Sequence, residues 1–126
     1  MQVLNVPHLH LLLNHIPTVG SVVGLGLLIL SLVRRSRELT VASLEVLVLI
    51  ALLTVPAYIT GVASQEPLQD LPGVSLPAID RHQDAALLAF VFMQVTGAVA
   101  WLALWHFRRT ARTERGSVTA VVVLAV

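Results

Sequence analysis

Five histidines carry the chemistry this chain has to offer: His8, His10, His15, His82 and His106. A neutral imidazole is a ligand for iron, copper or zinc, and a donor or acceptor of protons near neutral pH. The chain has no cysteine, which excludes disulfides, thiolate metal sites and covalent c-type haem attachment. Histidine is therefore the main candidate metal ligand. Three of the five fall in one stretch, Pro7-His8-Leu9-His10-Leu11-Leu12-Leu13-Asn14-His15-Ile16-Pro17, at the mouth of a long apolar run. Imidazoles in such a place are costly unless they are paired or hold something. At about 100° per helical residue, His8 and His15 lie within about 20° of each other, whereas His10 and His15 lie about 140° apart. Pro17 has no N–H to donate and clashes with the Leu13 carbonyl, so the turn that carries His15 is expected to loosen.

Three readings follow. The first is a b-type haem clamped by imidazoles from two helices. The expected pair is His15 and His82, with Asn14 and Arg81 near the propionates and Gly20, Gly24, Ala85, Ala86 and Ala89 leaving room for the plane. The second is a copper or zinc site built from His10, His15 and His82, with His8 as a spare ligand and Asp80 and Asp84 orienting the imidazoles. The third holds no cofactor: the chain anchors or supports a larger respiratory or photosynthetic membrane complex. His106, beside Trp105 and Arg108, reads as an interfacial residue. No serine–histidine–carboxylate set, phosphate loop or buried carboxylate pair is present, and Glu66 and Asp70 fall in a connection. An electron carrier or accessory subunit is expected rather than an enzyme acting alone. Its partners would be other membrane subunits or a periplasmic electron carrier, and a quinone is a further candidate.

The elements that must position these residues are membrane helices. The chain has 126 residues, 56% hydrophobic and 12% charged, with a mean hydropathy of +0.85. A soluble domain carries about 25% charged residues. The expected fold is a single all-α domain over 1–126: an integral membrane bundle with three full transmembrane helices and a partial or truncated fourth. The segments run over about 7–33, 39–60, 80–107 and 117–126. Asn5 can cap the first, with Pro7 in its first turn. Gly20 and Gly24 form a small-residue face for helix packing. Pro56 is expected to distort the second segment, with Gly61 stopping it; Glu45 near its start reads as structural. The connection from Gln65 to Ile79 contains Pro67, Pro72 and Pro77, and its apolar residues fold it back over the bundle end. Asp80 and Gln83 have capping-box spacing at the start of the third segment, with His82 in its first turn; an earlier start at Pro77 would move His82 to the second turn. About ten residues after Ser117 make ~15 Å, half of a bilayer. Asn5-Val6-Pro7 with no basic residue before it is a poor start for a cleaved signal peptide.

Arginine sets the expected orientation. Seven of the eight arginines sit at the ends of segments one and three; there is no lysine. The positive-inside rule then puts those ends in the cytoplasm and the N-terminus at the periplasmic side of a bacterial inner membrane. His8, His10, His15 and His82 share the outer end, and His106 stands alone at the inner one. A net charge of +1, with its basic residues at membrane edges, gives no surface for nucleic acid.

The pattern His10-x4-His15-x-Pro17, opening a helix of a small bundle, resembles the DUF2231 family of bacterial membrane proteins. These share an N-terminal His-x4-His-x-Pro start, four helices and a further histidine near the start of a later helix, where His82 stands here. The chain departs from that pattern in having Leu11, not proline, after His10, and in lacking a complete fourth helix. The resemblance implies the architecture and a histidine site, without an activity.

Overall fold

The structure, a computed structural model, describes the backbone of residues 5–125 and the side chains of residues 5–111. The described chain forms four helices and no strand: α1 (Val6–Arg34), α2 (Arg37–Ala63), α3 (Gln65–Gln69) and α4 (Leu76–Ala125). Asn5 caps α1 by accepting the His8 N–H at 3.1 Å, and Pro7 occupies the first turn, where a missing N–H costs nothing. Arg35 ends α1 in the left-handed conformation (φ 51°), and Ser36 caps α2 by accepting the Leu39 N–H. That corner is only two residues long, so α1 and α2 are antiparallel neighbours.

Helix α2 is the hub: it packs against both α1 and α4, while those two barely meet each other. Its sequence explains this. Ser43, Leu47, Ile50, Thr54, Ala57, Gly61 and Ser64 recur at alternating spacings of four and three and are buried or half-buried throughout. That repeat is the seam of a left-handed helix pair. On α1, Gly20 faces Ile50, and a Cβ on Gly24 would come within 2.7 Å of Leu47 Cδ2. The expected small-residue face is thus a notch that admits two large α2 side chains. On α4 the same spacing runs through Phe90, Met93, Gly97, Ala100 and Leu104, and Gly97 lies against Ala51. Leu44, Leu47, Ile50, Ala51, Met93, Ala100 and Leu104 form one buried cluster. In a bilayer, where lipid tails are as apolar as leucine, such close fit and interhelical hydrogen bonds hold helices together. Gln94 supplies one such bond, from Nε2 to the Ala51 carbonyl at 2.9 Å.

Val6–Arg34, Arg37–Gln69 and Leu76–Ala111 are each long and apolar enough to cross a membrane. The chain is a multi-pass, all-α membrane protein. Several expected boundaries move. Helix α2 does not stop at Thr60: Gly61 lies inside it, because its missing side chain seats a ring of α1, and the helix runs on to Ala63. The proline-rich connection contains the short α3 and then turns at Gly73 (φ 84°). Helix α4 starts not at Asp80 but at Leu76, where Ser75 Oγ accepts the Ala78 N–H and Pro77 sits in the first turn. The expected fourth helix is not separate over 117–125, 126 lying outside the described residues: the backbone of α4 continues unbroken through the arginine-rich stretch to Ala125, since Arg112 to Ser117 contains no proline and only one glycine. The packing of side chains from 112 onward lies outside the described residues.

Candidate functional site

The up-down-up course of α1, α2 and α4 brings the start of α1, the end of α2 and the start of α4 to one end of the bundle. Four of the five histidines therefore share that end, and His106 lies at the other. Helical phase decides which of the four meet. His10 is the half-buried one, turned onto α2; His8, His15 and His82 are exposed. The His10 ring rests on Gly61, where a Cβ would come within 2.8 Å of its Cε1. Its Nδ1 lies 3.0 Å from the Ala57 carbonyl and 3.5 Å from Thr60 Oγ1. A carbonyl can only accept, so Nδ1 is the donor in this bond, and in the neutral ring it is Nε2 that keeps a lone pair.

His10 and His82 line the same two adjoining cavities, together with Tyr58 and Ala86. One, of ≈ 470 Å³, is a groove between α1 and α4 floored by α2. Its α1 wall includes His10, Asn14, Pro17 and Ser21, a stripe at spacings of four, three and four, with Thr18 beside it; its α4 wall includes Ala85, Ala86 and Ala89. The other, of ≈ 330 Å³, lies at the bundle end under Gln65, Leu68, Val74 and Ser75. The α2–α4 connection thus folds back over the histidine end, as its apolar residues imply. Among the described residues no aspartate or glutamate lines either cavity. Both volumes fall within the usual range of cofactor and small-molecule sites, about 300–1,000 Å³.

The expected pairing of His15 with His82 is not what the helices bring together. His15 lines neither cavity; its Nδ1 donates to the Leu11 carbonyl on its own helix at 2.8 Å. The about 140° that separates it from His10 turns it away when His10 faces α2. His8 is likewise held locally, its ring Nδ1 and backbone N–H both on Asn5 Oδ1. Among the described residues no three histidine or carboxylate side chains gather into a set for a metal ion, so the four-histidine set of His8, His10, His15 and His82 is not assembled. Asn14 does join His10 in the groove. Arg81 lies outside it, with its Nε donating to the Pro77 carbonyl. Tyr58 is a site residue that the histidine spacing does not point to. It lines both cavities, and its ring stacks on Phe90 with centroids 4.6 Å apart.

No family model, curated protein or solved structure matches the chain. The site is thus read from its own residues.

Proposed function

We propose that the chain is an electron-transfer or accessory subunit of a membrane complex, and that its groove holds a b-type haem between His10 and His82. The observation that carries this reading is the contact of His10 Nδ1 with the Ala57 carbonyl. The ring's Nδ1–H is committed to that carbonyl, which leaves Nε2 as a neutral donor atom beside the cavities it shares with His82. A backbone carbonyl on the far ring nitrogen is how metal-ligating histidines are usually oriented and made more basic. His82 approaches from α4, across the groove from α1, so two helices offer imidazoles to one space. Small α4 residues and Ser21 on α1 leave the walls open to a flat macrocycle, and the lining is mainly apolar. Asn14 is the polar side chain placed to receive a propionate. When bound, the haem supplies one-electron chemistry whose potential the imidazoles and burial set.

A bare copper or zinc centre fits less well. Zinc sites have three or four protein ligands, and these cavities offer two histidines and no carboxylate. The cofactor-free anchor has one observation in its favour: the His10 contact with Ala57 and Gly61 also joins α1 to α2 as plain packing. The histidine end faces the periplasm of a bacterial inner membrane in our reading, because the arginine clusters mark the other end as cytoplasmic. A periplasmic carrier or a quinone would then meet the haem from that side. We propose a DUF2231-like layout on the likeness of the His10-x4-His15-x-Pro17 start and of His82 alone.

Protein isolated gently with its partners is examined by absorption, oxidised and then reduced, and by metal analysis. A reduced b-type band with iron is expected. Neither porphyrin nor metal would decide for the anchor; copper or zinc without a porphyrin band would decide for the bare metal.

A further inference from the structure

A separate groove of ≈ 290 Å³ opens between α2 and α4 toward the arginine-rich end and shares no residue with the histidine cavities. Its walls are Val48, Leu49 and Leu52 on α2 and Trp101, Leu104 and Trp105 on α4. At one end Arg108 Nη2 donates to Glu45 Oε1 at 3.3 Å, and both side chains are largely exposed, at 68% and 52%. From Glu45 the groove runs about 10 Å along α2 to Leu52. The guanidinium of Arg109 lies 4.6 Å from the centre of the Trp105 ring.

The placement of Glu45 is the point to explain. It lies about 12 Å along α2 from Arg37, apart from the arginines at the α1–α2 corner, and the cation it meets is Arg108 of α4. An exposed ion pair contributes little to stability. Two opposite charges side by side, at the head of an apolar slot flanked by two tryptophans, match a zwitterion with a hydrocarbon tail. Arg108 has a fork of five N–H donors, and Glu45 takes one of them, so a phosphate can bind without the pair breaking. The carboxylate disfavours a purely anionic headgroup. It favours a primary ammonium, which has N–H to donate, over a quaternary one, which has none. Tryptophans at headgroup depth are the usual flank of such a site.

We propose that this groove binds one phosphatidylethanolamine, with the phosphate on Arg108, the ammonium on Glu45 and an acyl chain along Leu49 and Leu52. The inference does not depend on the histidine groove or its occupant. The test is native mass spectrometry of the purified protein in detergent with equal amounts of dioleoyl phosphatidylethanolamine, phosphatidylglycerol and phosphatidylcholine. The wild type should retain one phosphatidylethanolamine about fivefold better than either competitor. Glu45→Gln should abolish that preference, and Arg108→Gln should weaken retention of all three. Leu49→Trp fills the slot while leaving the ion pair in place, and should remove the bound lipid. Circular dichroism checks that each variant is helical, and Leu52→Trp replaces Leu49→Trp if the latter loses helix. Equal retention of the three lipids, a preference for phosphatidylglycerol, or a lipid retained by the filled groove would overturn the proposal.

Discussion

The two ends of the bundle are built on opposite plans. Toward the arginine-rich end the packing is close: Gly24 admits Leu47, and Ala100 and Leu104 belong to a buried cluster that extends to Ala51 at mid-bundle. Arg37 ties the start of α2 to α4 by donating to the Phe107 carbonyl and lying over its ring, and Arg108 reaches Glu45. At the histidine end the same α2 is contacted more loosely. From Leu76 to Phe92, α4 buries no residue fully, and Ala85, Ala86 and Ala89 stand where larger side chains would close the gap. The seam is continuous along both helices, so the difference lies in side-chain size. Tight packing at one end fixes the helices; small residues at the other leave a cavity between fixed walls. A site that must hold its ligands in place while admitting a guest needs both.

The largest expected effect comes from overfilling the tight end. Gly24→Leu, against Leu47, should cost about 1–3 kcal/mol, read by thermal or denaturant unfolding in detergent. Ala89→Leu, at the open end, adds similar bulk and should change stability by only about 0.5 kcal/mol; an equal loss from both would erase the contrast. Gly61→Ala comes next, at about 1 kcal/mol. Its Cβ would meet the His10 ring, so the ring must shift, and the His10 Cε1–H resonance should move while that of His106 stays. Gln94→Leu removes the interhelical bond to Ala51 and should cost about 0.6 kcal/mol, the usual worth of such a bond in a bilayer. Glu45→Gln should matter least for stability, about 0–0.5 kcal/mol, because its pair with Arg108 is exposed.

The class, the three crossings and the sharing of one end by four histidines were legible in the sequence. They depend on length, hydropathy and the parity of crossings. Which N-terminal histidine lines the groove is a matter of helical phase, and a signal for it exists in the sequence. Gly24 packs on α2, and Pro17 and His10 lie one and two heptads before it, on nearly the same face. His15 is nine residues before Gly24, about 180° away. Carrying the phase back from the glycine notch selects His10; depth alone selects His15. Gly61 reads as a stop in isolation because its partner, His10, is fifty-one residues distant. The continuity of α4 was missed for another reason. The arginine-rich stretch resembles a loop by polarity, yet arginine, threonine and glutamate are acceptable helix residues when nothing forces a turn.

The central claim is that His10 and His82 face one occupied groove and that His15 does not. Its most direct test is the reduced-minus-oxidised spectrum of three single variants, His10→Ala, His82→Ala and His15→Ala, purified alongside the wild type. The first two should each abolish or strongly alter the b-type band, and His15→Ala should leave it intact. A band lost in His15→Ala and kept in His10→Ala would contradict the account.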